Sequence, residues 1–197
     1  SLCLENNIFQ FTDTSSIPYG FYSPYWDFGD STYSFLNNPS HIYSNPDTFE
    51  VKLILTSDQM CLDSISYTVY VHPMPNADFS IDDDDQCLFA NNFNFTNQSS
   101  ILSGSFSSFW DYGDGNFSTL DNSTHSYLNW DSLTVELRLN SAMNCRDSMS
   151  KQVVVRPMPV AGFYVNDSSQ CLFANSFAFN NKSTVPYGSM SYLWDFR

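Results

Sequence analysis

The chain has 197 residues, with seven Lys+Arg against 21 Asp+Glu and a formal net charge of −14. That balance repels phosphate and argues against nucleic-acid binding, while it suits a surface kept soluble outside a cell and attracts divalent cations. No run reaches the ~18 apolar residues of a membrane span, and no basic-then-apolar leader opens the sequence; either would lie outside this stretch, which reads as a segment of a longer protein.

One motif recurs. Tyr25-Trp26-Asp27-Phe28-Gly29-Asp30 returns as Phe109-Trp110-Asp111-Tyr112-Gly113-Asp114-Gly115 and again as Leu193-Trp194-Asp195-Phe196. The tryptophans are 84 apart each time (110 − 26 and 194 − 110). Cys3, Cys87 and Cys171 keep that step, as do Cys61 and Cys145, His41 and His125, and the Pro-Met-Pro runs at 73–75 and 157–159. A fixed period without insertions means tandem copies of one unit. The expected domains are 1–74 with its first strand missing, 75–158, and 159–197 holding only first strands.

In chain order, the first element is Ile8 to Thr12, matched by Phe93-Asn94-Phe95-Thr96 and Phe177-Ala178-Phe179-Asn180. Rings at alternate positions place two on one face of a strand. A polar turn with Gly20, Gly104 or Gly188 follows. Next comes the tryptophan strand. Trp26 and Phe28 share one face as core plugs, and Gly29-Asp30 or Gly113-Asp114-Gly115 makes a hairpin turn. After a loop and His41, the residues Phe49, Val51, Leu53 and Leu55 alternate with polar neighbours. Leu133, Val135, Leu137 and Leu139 repeat the pattern, the mark of a strand with one buried face. A turn holding Cys61 leads into Ile65, Tyr67, Val69 and Val71, again alternating. Pro73-Met74-Pro75 forms a short, stiff joint, and Ala77–Ile81 and Gly162–Val165 open the next units. No helical period is present. Many short strands between turn signals predict an all-β fold of tandem β-sandwiches in a rod.

The five cysteines are resolved by the same period. Cys3 with Cys61 and Cys87 with Cys145 are each 58 apart, one disulfide per unit, and Cys171 is left free with its partner past the last residue. Such bridges point to an oxidising compartment and would each stabilise a unit by ~4 kcal/mol in the chain-entropy view. The rival reading is a set of reduced core cysteines.

These residues resemble the PKD (polycystic-kidney-disease) domain: Trp-Asp-Phe/Tyr-Gly-Asp, then Asn38-Pro39-Ser40-His41-Ile42-Tyr43, then Phe49-Glu50-Val51-Lys52-Leu53. The resemblance covers the whole chain and implies an immunoglobulin-like β-sandwich. The cysteine-bearing form is similar to PKD arrays in very large surface proteins of bacteria with type IX secretion, including gliding-motility adhesins. It departs at Ser31, in place of the motif's last glycine, at Ser123-Thr124 in place of Pro39-Ser40, and at Arg197, where a glycine is expected.

Each candidate site has a plain competitor. Asp27 with Asp30, and Asp111 with Asp114, resemble a catalytic dyad, but recurrence in every unit favours turn-stabilising roles. The structural motif is therefore expected to rest on Trp26, Asp27, Gly29, Asp30, Trp110, Asp111, Gly113, Asp114, Trp194 and Asp195. His41 and His125 lack a second ligand at metal spacing and read as core or edge histidines making one hydrogen bond each. Asp82, Asp83, Asp84 and Asp85 are a calcium candidate, because Ca²⁺ takes six to eight oxygen ligands; the competing reading is a solvated loop. Asn94, Asn97, Asn116, Asn122, Asn166 and Asn181 stand in N-glycosylation triplets, which would matter in a eukaryotic secreted protein and in a bacterial one are chance products of the Asn/Ser/Thr-rich composition. Asp-Ser-apolar triplets mark Ser64, Ser132 and Ser148 as O-glycosylation candidates.

Three functions compete. The resemblance favours a non-catalytic stalk or filament segment of an extracellular cell-surface adhesin. Its partners would be neighbouring PKD domains of the same chain, surface glycans or other filament subunits. A carbohydrate- or protein-binding accessory module of a secreted hydrolase would instead need an exposed aromatic platform, for which Tyr19, Tyr22, Tyr25 and Tyr33 are candidates. No constellation of residues points to an enzyme.

Overall fold

The computed structural model describes residues 1–196, so Arg197 lies outside the described residues. Nineteen strands and no helix are found among them. In the first repeat they are β1 (Leu2–Cys3), β2 (Phe9–Gln10), β3 (Tyr22–Asp27), β4 (Tyr33–Ser34), β5 (Ser40–His41), β6 (Thr48–Ser57) and β7 (Leu62–His72). The second contains β8 (Pro75–Asn76), β9 (Phe79–Ile81), β10 (Asp85–Cys87), β11 (Phe93–Asn97), β12 (Ser100–Ile101) and β13 (Phe106–Asp111). It continues with β14 (Phe117–Ser118), β15 (Ser123–His125), β16 (Asp131–Ser141) and β17 (Arg146–Arg156), and β18 (Phe163–Val165) and β19 (Phe179–Asn181) follow.

The repeat is visible in the topology. One five-stranded sheet runs β1-β7-β6-β3-β4 and the other β10-β17-β16-β13-β14. Against these stand the pair β2-β5 in one case and the sheet β15-β11-β9 in the other. The fold is thus all-β, of tandem sandwich type. The alternation over 49–55 is realised in β6, which pairs antiparallel with β7 (Val51↔Tyr67, Leu53↔Ile65) and with β3 (Trp26↔Leu53). The Pro-Met-Pro joint is tied down on one side, because Pro75–Asn76 pairs with Ser100–Ile101.

By contact density the described residues fall into two compact units. The first comprises Ser1–Asp78, Gln98–Phe109 and Leu137–Met149; the second comprises Phe79–Asn97, Trp110–Glu136 and the residues from Ser150 onward. In the first, Trp26, Phe28, Tyr43, Val51, Leu53, Val69 and Val71 form the core, with Phe9, Phe11 and Phe49 packed on it. In the second, Phe79, Phe93, Phe95, Trp110, Val135 and Val153 are buried almost completely.

Two expectations need correction. Along β7 only Val69 and Val71 are buried, while Ile65 and Tyr67 remain 70% and 74% exposed, because the small sheet facing β7 has only β2 and β5, with no described counterpart of β9 to cover that half of the strand. The expected Trp194 strand is not formed. A strand exists only when a neighbour takes its backbone hydrogen bonds, and no counterpart of β6 lies among the described residues of the third repeat. Trp194 instead rests half-buried between Phe163 and Phe179, with ring centroids 5.4 and 5.7 Å away, while Phe177 and Phe179 are exposed.

Candidate functional site

The recurring motif is a turn held by its own carboxylates. Asp27 Oδ1 accepts the Gly29 amide at 2.9 Å, and Asp111 Oδ1 accepts that of Gly113 at 3.1 Å. Gly29 and Gly113 have φ of +80° and +77°, and a Cβ there would meet the Glu50 or Thr134 carbonyl oxygen at 2.8 or 2.6 Å. Glycine is therefore required twice over, by conformation and by space. Asp30 Oδ1 accepts the Thr32 amide and hydroxyl, and Oδ2 lies 2.8 Å from His41 Nε2. Asp114 repeats this with Asn116 and His125, again at 2.8 Å.

The histidine fixes the turn to the core. The His41 ring stacks on Phe28, and that of His125 on Tyr112, both at 4.1 Å and 2°. The Tyr43 and Tyr127 hydroxyls donate to the carbonyls of Phe28 and Tyr112 at 2.9 Å. Partial burial works to raise the Asp30 carboxyl, but hydrogen bonds from Thr32 and His41 outweigh it and leave it below the ordinary carboxylate range. Asp114 is lowered in the same way, burial being opposed by His125 and Asn116. Burial, with the nearby Asp charges, pushes both tyrosine hydroxyls up. In each turn the two carboxylates bind different partners, so the arrangement is a clasp rather than a dyad sharing a proton.

Sequence reasoning passed over a further pair of polar plugs. Asn7 is 2% exposed; its Nδ2 donates to the Leu4 and Tyr43 carbonyls, and its Oδ1 accepts the Tyr43 amide. Asn91 makes the same three bonds with Leu88 and Tyr127. Asn175, one period further on, bonds the Leu172 carbonyl. The 84-residue step that revealed the cysteines also marks these asparagines.

The cysteine pairing differs from the spacing argument. Cys3 is bonded to Cys145, while Cys61, Cys87 and Cys171 are free and exposed. Neither Cys3–Cys61 nor Cys87–Cys145 forms, and the reason is strand length. Cys3 pairs in parallel with His72, at the far end of β7, whereas Cys61 precedes the start of that strand. Ten steps of about 3.3 Å separate the two ends by roughly 33 Å, and a disulfide tolerates less than about 7 Å between Cα atoms. Cys87 beside Arg156 stands at the same remove from Cys145. A bond from one repeat to the hairpin of the next preserves the period equally well. The local geometry of the hairpin is repeated: the Cys61 and Cys145 amides donate to Ser57 and Ser141 Oγ at 3.1 and 3.0 Å.

The acidic run is not gathered into a cation site. Asp82 accepts the Asn94 side-chain amide at 2.5 Å, Asp83 caps the Asp85 amide, and Asp85 pairs with Arg156. Asp84 contributes its carbonyl to Val154. Among the described residues no group of three or more His, Cys, Asp or Glu side chains converges, and the carboxylates of residues 82–85, the calcium candidates, are directed to separate partners. A run of consecutive carboxylates along a strand edge diverges. Ser64, Ser132 and Ser148 are all exposed. Of the tyrosines, Tyr19 and Tyr33 are 90% and 61% exposed, and Tyr33 stacks on Tyr25 at 5.6 Å. Phe35 meets Tyr33 edge-on at 73°, so the cluster is not flat.

Residues 5–72 match the PKD domain family. No curated protein matches the chain. Among solved structures, the PKD1 domain of Vibrio anguillarum Epp is 23% identical, with 42% of this chain and 93% of that domain covered and a TM-score of 0.37. The PKD1 domain of the Vibrio cholerae metalloprotease PrtV is also 23% identical, covering 43% and 98% with a TM-score of 0.35. A carbohydrate-binding module of the β-sandwich superfamily is 19% identical over 54% of this chain and 52% of that one, with a TM-score of 0.39. No helix of the described residues is long and apolar enough to cross a membrane.

Proposed function

We propose that this chain is a non-catalytic structural segment, built of tandem PKD-type sandwiches, in the stalk or filament of an extracellular cell-surface adhesin. The observation that carries the reading is the Cys3–Cys145 bond, which fastens the opening strand of one repeat to a hairpin of the next. A cross-link of that span serves a chain that must not lengthen under load. The recurring Asp–His clasps and buried asparagines support the same role, since they secure turns and strand ends. Pulling the chain by its ends in optical tweezers tests it. In the oxidised protein the stretch between the cysteines, a sequence separation of 142, stays hidden from the force, and reduction releases up to about 500 Å of extra contour. A segment that yields its full contour equally with and without reductant is not a load-bearing stalk.

The cluster of half-buried Tyr25 with exposed Tyr33 and Phe35 favours the second reading, a carbohydrate-binding accessory module. It is the weaker one, because sugar rings stack best on flat platforms. Glycan-array binding that is lost in Tyr33→Ala would reverse the order.

A further inference from the structure

The first repeat carries three aromatic rings on the face of β3 and β4 opposite the core. Tyr25 alternates with the buried Trp26, and Tyr33 stands across from Asp27 on that same outer face. With Phe35 the two tyrosines form a triangle of ring centroids 5.5 to 5.6 Å apart, their planes inclined at 28°, 56° and 73°. Tyr25 is half-buried, whereas Tyr33 and Phe35 stand in solvent. Asp27 borders the cluster; its Oδ1 holds the Gly29 amide, leaving Oδ2 to a ligand. Lys52 on β6 lies across from Asp27 on the side away from β4.

The second repeat shows what such a face attracts. Phe109 is the counterpart of Tyr25, and Arg138, the counterpart of Ile54, holds its guanidinium 5.7 Å from the centroid of that ring. In the first repeat Tyr25 has Ile54 opposite it, so that position supplies no cation. It has a further ring instead, because Phe35 stands where the second repeat has Thr119.

We propose that the Tyr25, Tyr33 and Phe35 cluster docks an arginine side chain of a basic partner protein, whose guanidinium takes the place that Arg138 fills from within the second repeat. The faces of aromatic rings attract cations electrostatically. Guanidinium suits them better than ammonium, since it is planar, weakly hydrated and stacks on rings. Inclined planes that make a poor platform for a sugar suit a compact cation, which meets several rings at once. The Asp27 carboxylate accepts hydrogen bonds from the guanidinium. Lys52 opposes entry from the β6 side, so the arginine approaches over the β4 edge, across Tyr33 and Phe35. A net charge of −14 draws basic partners to the surface. The site takes a cation where the accessory-module reading takes a sugar, and the stalk role depends on neither.

NMR titration of the 197-residue protein with a Gly/Ser peptide carrying two arginines tests the proposal. Matched peptides carry lysine, or citrulline as the neutral isostere of arginine. The arginine peptide should shift the ring resonances of Tyr25, Tyr33 and Phe35, with lysine binding more weakly and citrulline about tenfold more weakly. Tyr33→Ala and Phe35→Ala, each with its melting transition in place, should weaken arginine binding about threefold or more. Ile54→Arg should abolish it by seating an internal guanidinium over Tyr25, while Ser132→Arg, the same charge added in the second repeat, should leave it unchanged. Citrulline binding equal to arginine, or full binding in Ile54→Arg, overturns the cation site. An equal loss in Ser132→Arg reduces the effect to net charge and overturns it as well. Phosphatidylcholine vesicles or glycans that bind in place of the peptide, and are lost in Tyr33→Ala, overturn the protein partner in favour of a lipid headgroup or a sugar.

Discussion

Breaking the Cys3–Cys145 bond isolates one covalent contact and measures its effect on stability. Cys145 is 1% exposed, and serine replaces it with little change in volume. The closed loop spans 142 residues, and cross-linking it removes chain entropy from the unfolded state worth about 5 kcal/mol at 25 °C. Loss of a native disulfide typically costs about 2–5 kcal/mol. For sandwiches of this size that lowers the melting temperature by about 10 °C or more. Calorimetry of the wild type, Cys145→Ser and Cys3→Ser, each with and without reductant, reads the effect. The two variants should match each other and the reduced wild type, and reductant should move neither further. Cys61→Ser and Cys87→Ser should melt as the wild type does. A loss of stability in Cys61→Ser, or a Cys3–Cys61 peptide in a non-reducing digest, refutes the strand-length argument.

Trp110 is fully buried, and its Nε1 donates to the Leu120 carbonyl at 2.9 Å. Trp110→Ala should therefore cost the second repeat about 3–5 kcal/mol and split the melt, with the first repeat's transition in place; an unchanged single transition counts against it. Gly113→Ala should destabilise by more than about 1 kcal/mol, since it combines a positive φ with a backbone clash. Ser31 has φ +71°, and its counterpart Gly115 has open space around it. Ser31→Gly should then stabilise by roughly 1 kcal/mol; urea titrations that reverse these two signs would contradict the turn geometry. The Asp30 and Asp114 carboxyls are held below their ordinary range, so their contribution is complete above the unfolded-state value of about 3.9. It disappears as pH falls through their lower folded values. In melting curves from pH 6 to pH 2, Asp114→Asn should flatten the acid decline, and an unaltered profile would mean the clasp adds nothing.

By itself the sequence determined the period, the all-β class, the strands with one buried face and the tryptophan turn. Each of these is local: alternation marks a strand within a few residues, and a Gly between two Asp marks a turn in which they bond back to nearby amides. The 84-residue step also carried Asn7, Asn91 and Asn175 in plain view, although nothing in an asparagine's own chemistry says that it will be buried as a plug. Tertiary structure alone decided which groups meet across distance. It placed His41 on Asp30 and sent the consecutive carboxylates of 82–85 to separate partners. It left Ile65 and Tyr67 exposed along β7. It also chose the disulfide. Separations of 58 and 142 both respect the period, so counting residues does not choose between them. The choice follows from laying the Cys3 strand parallel to the end of an 11-residue strand, about 33 Å from the turn that holds Cys61.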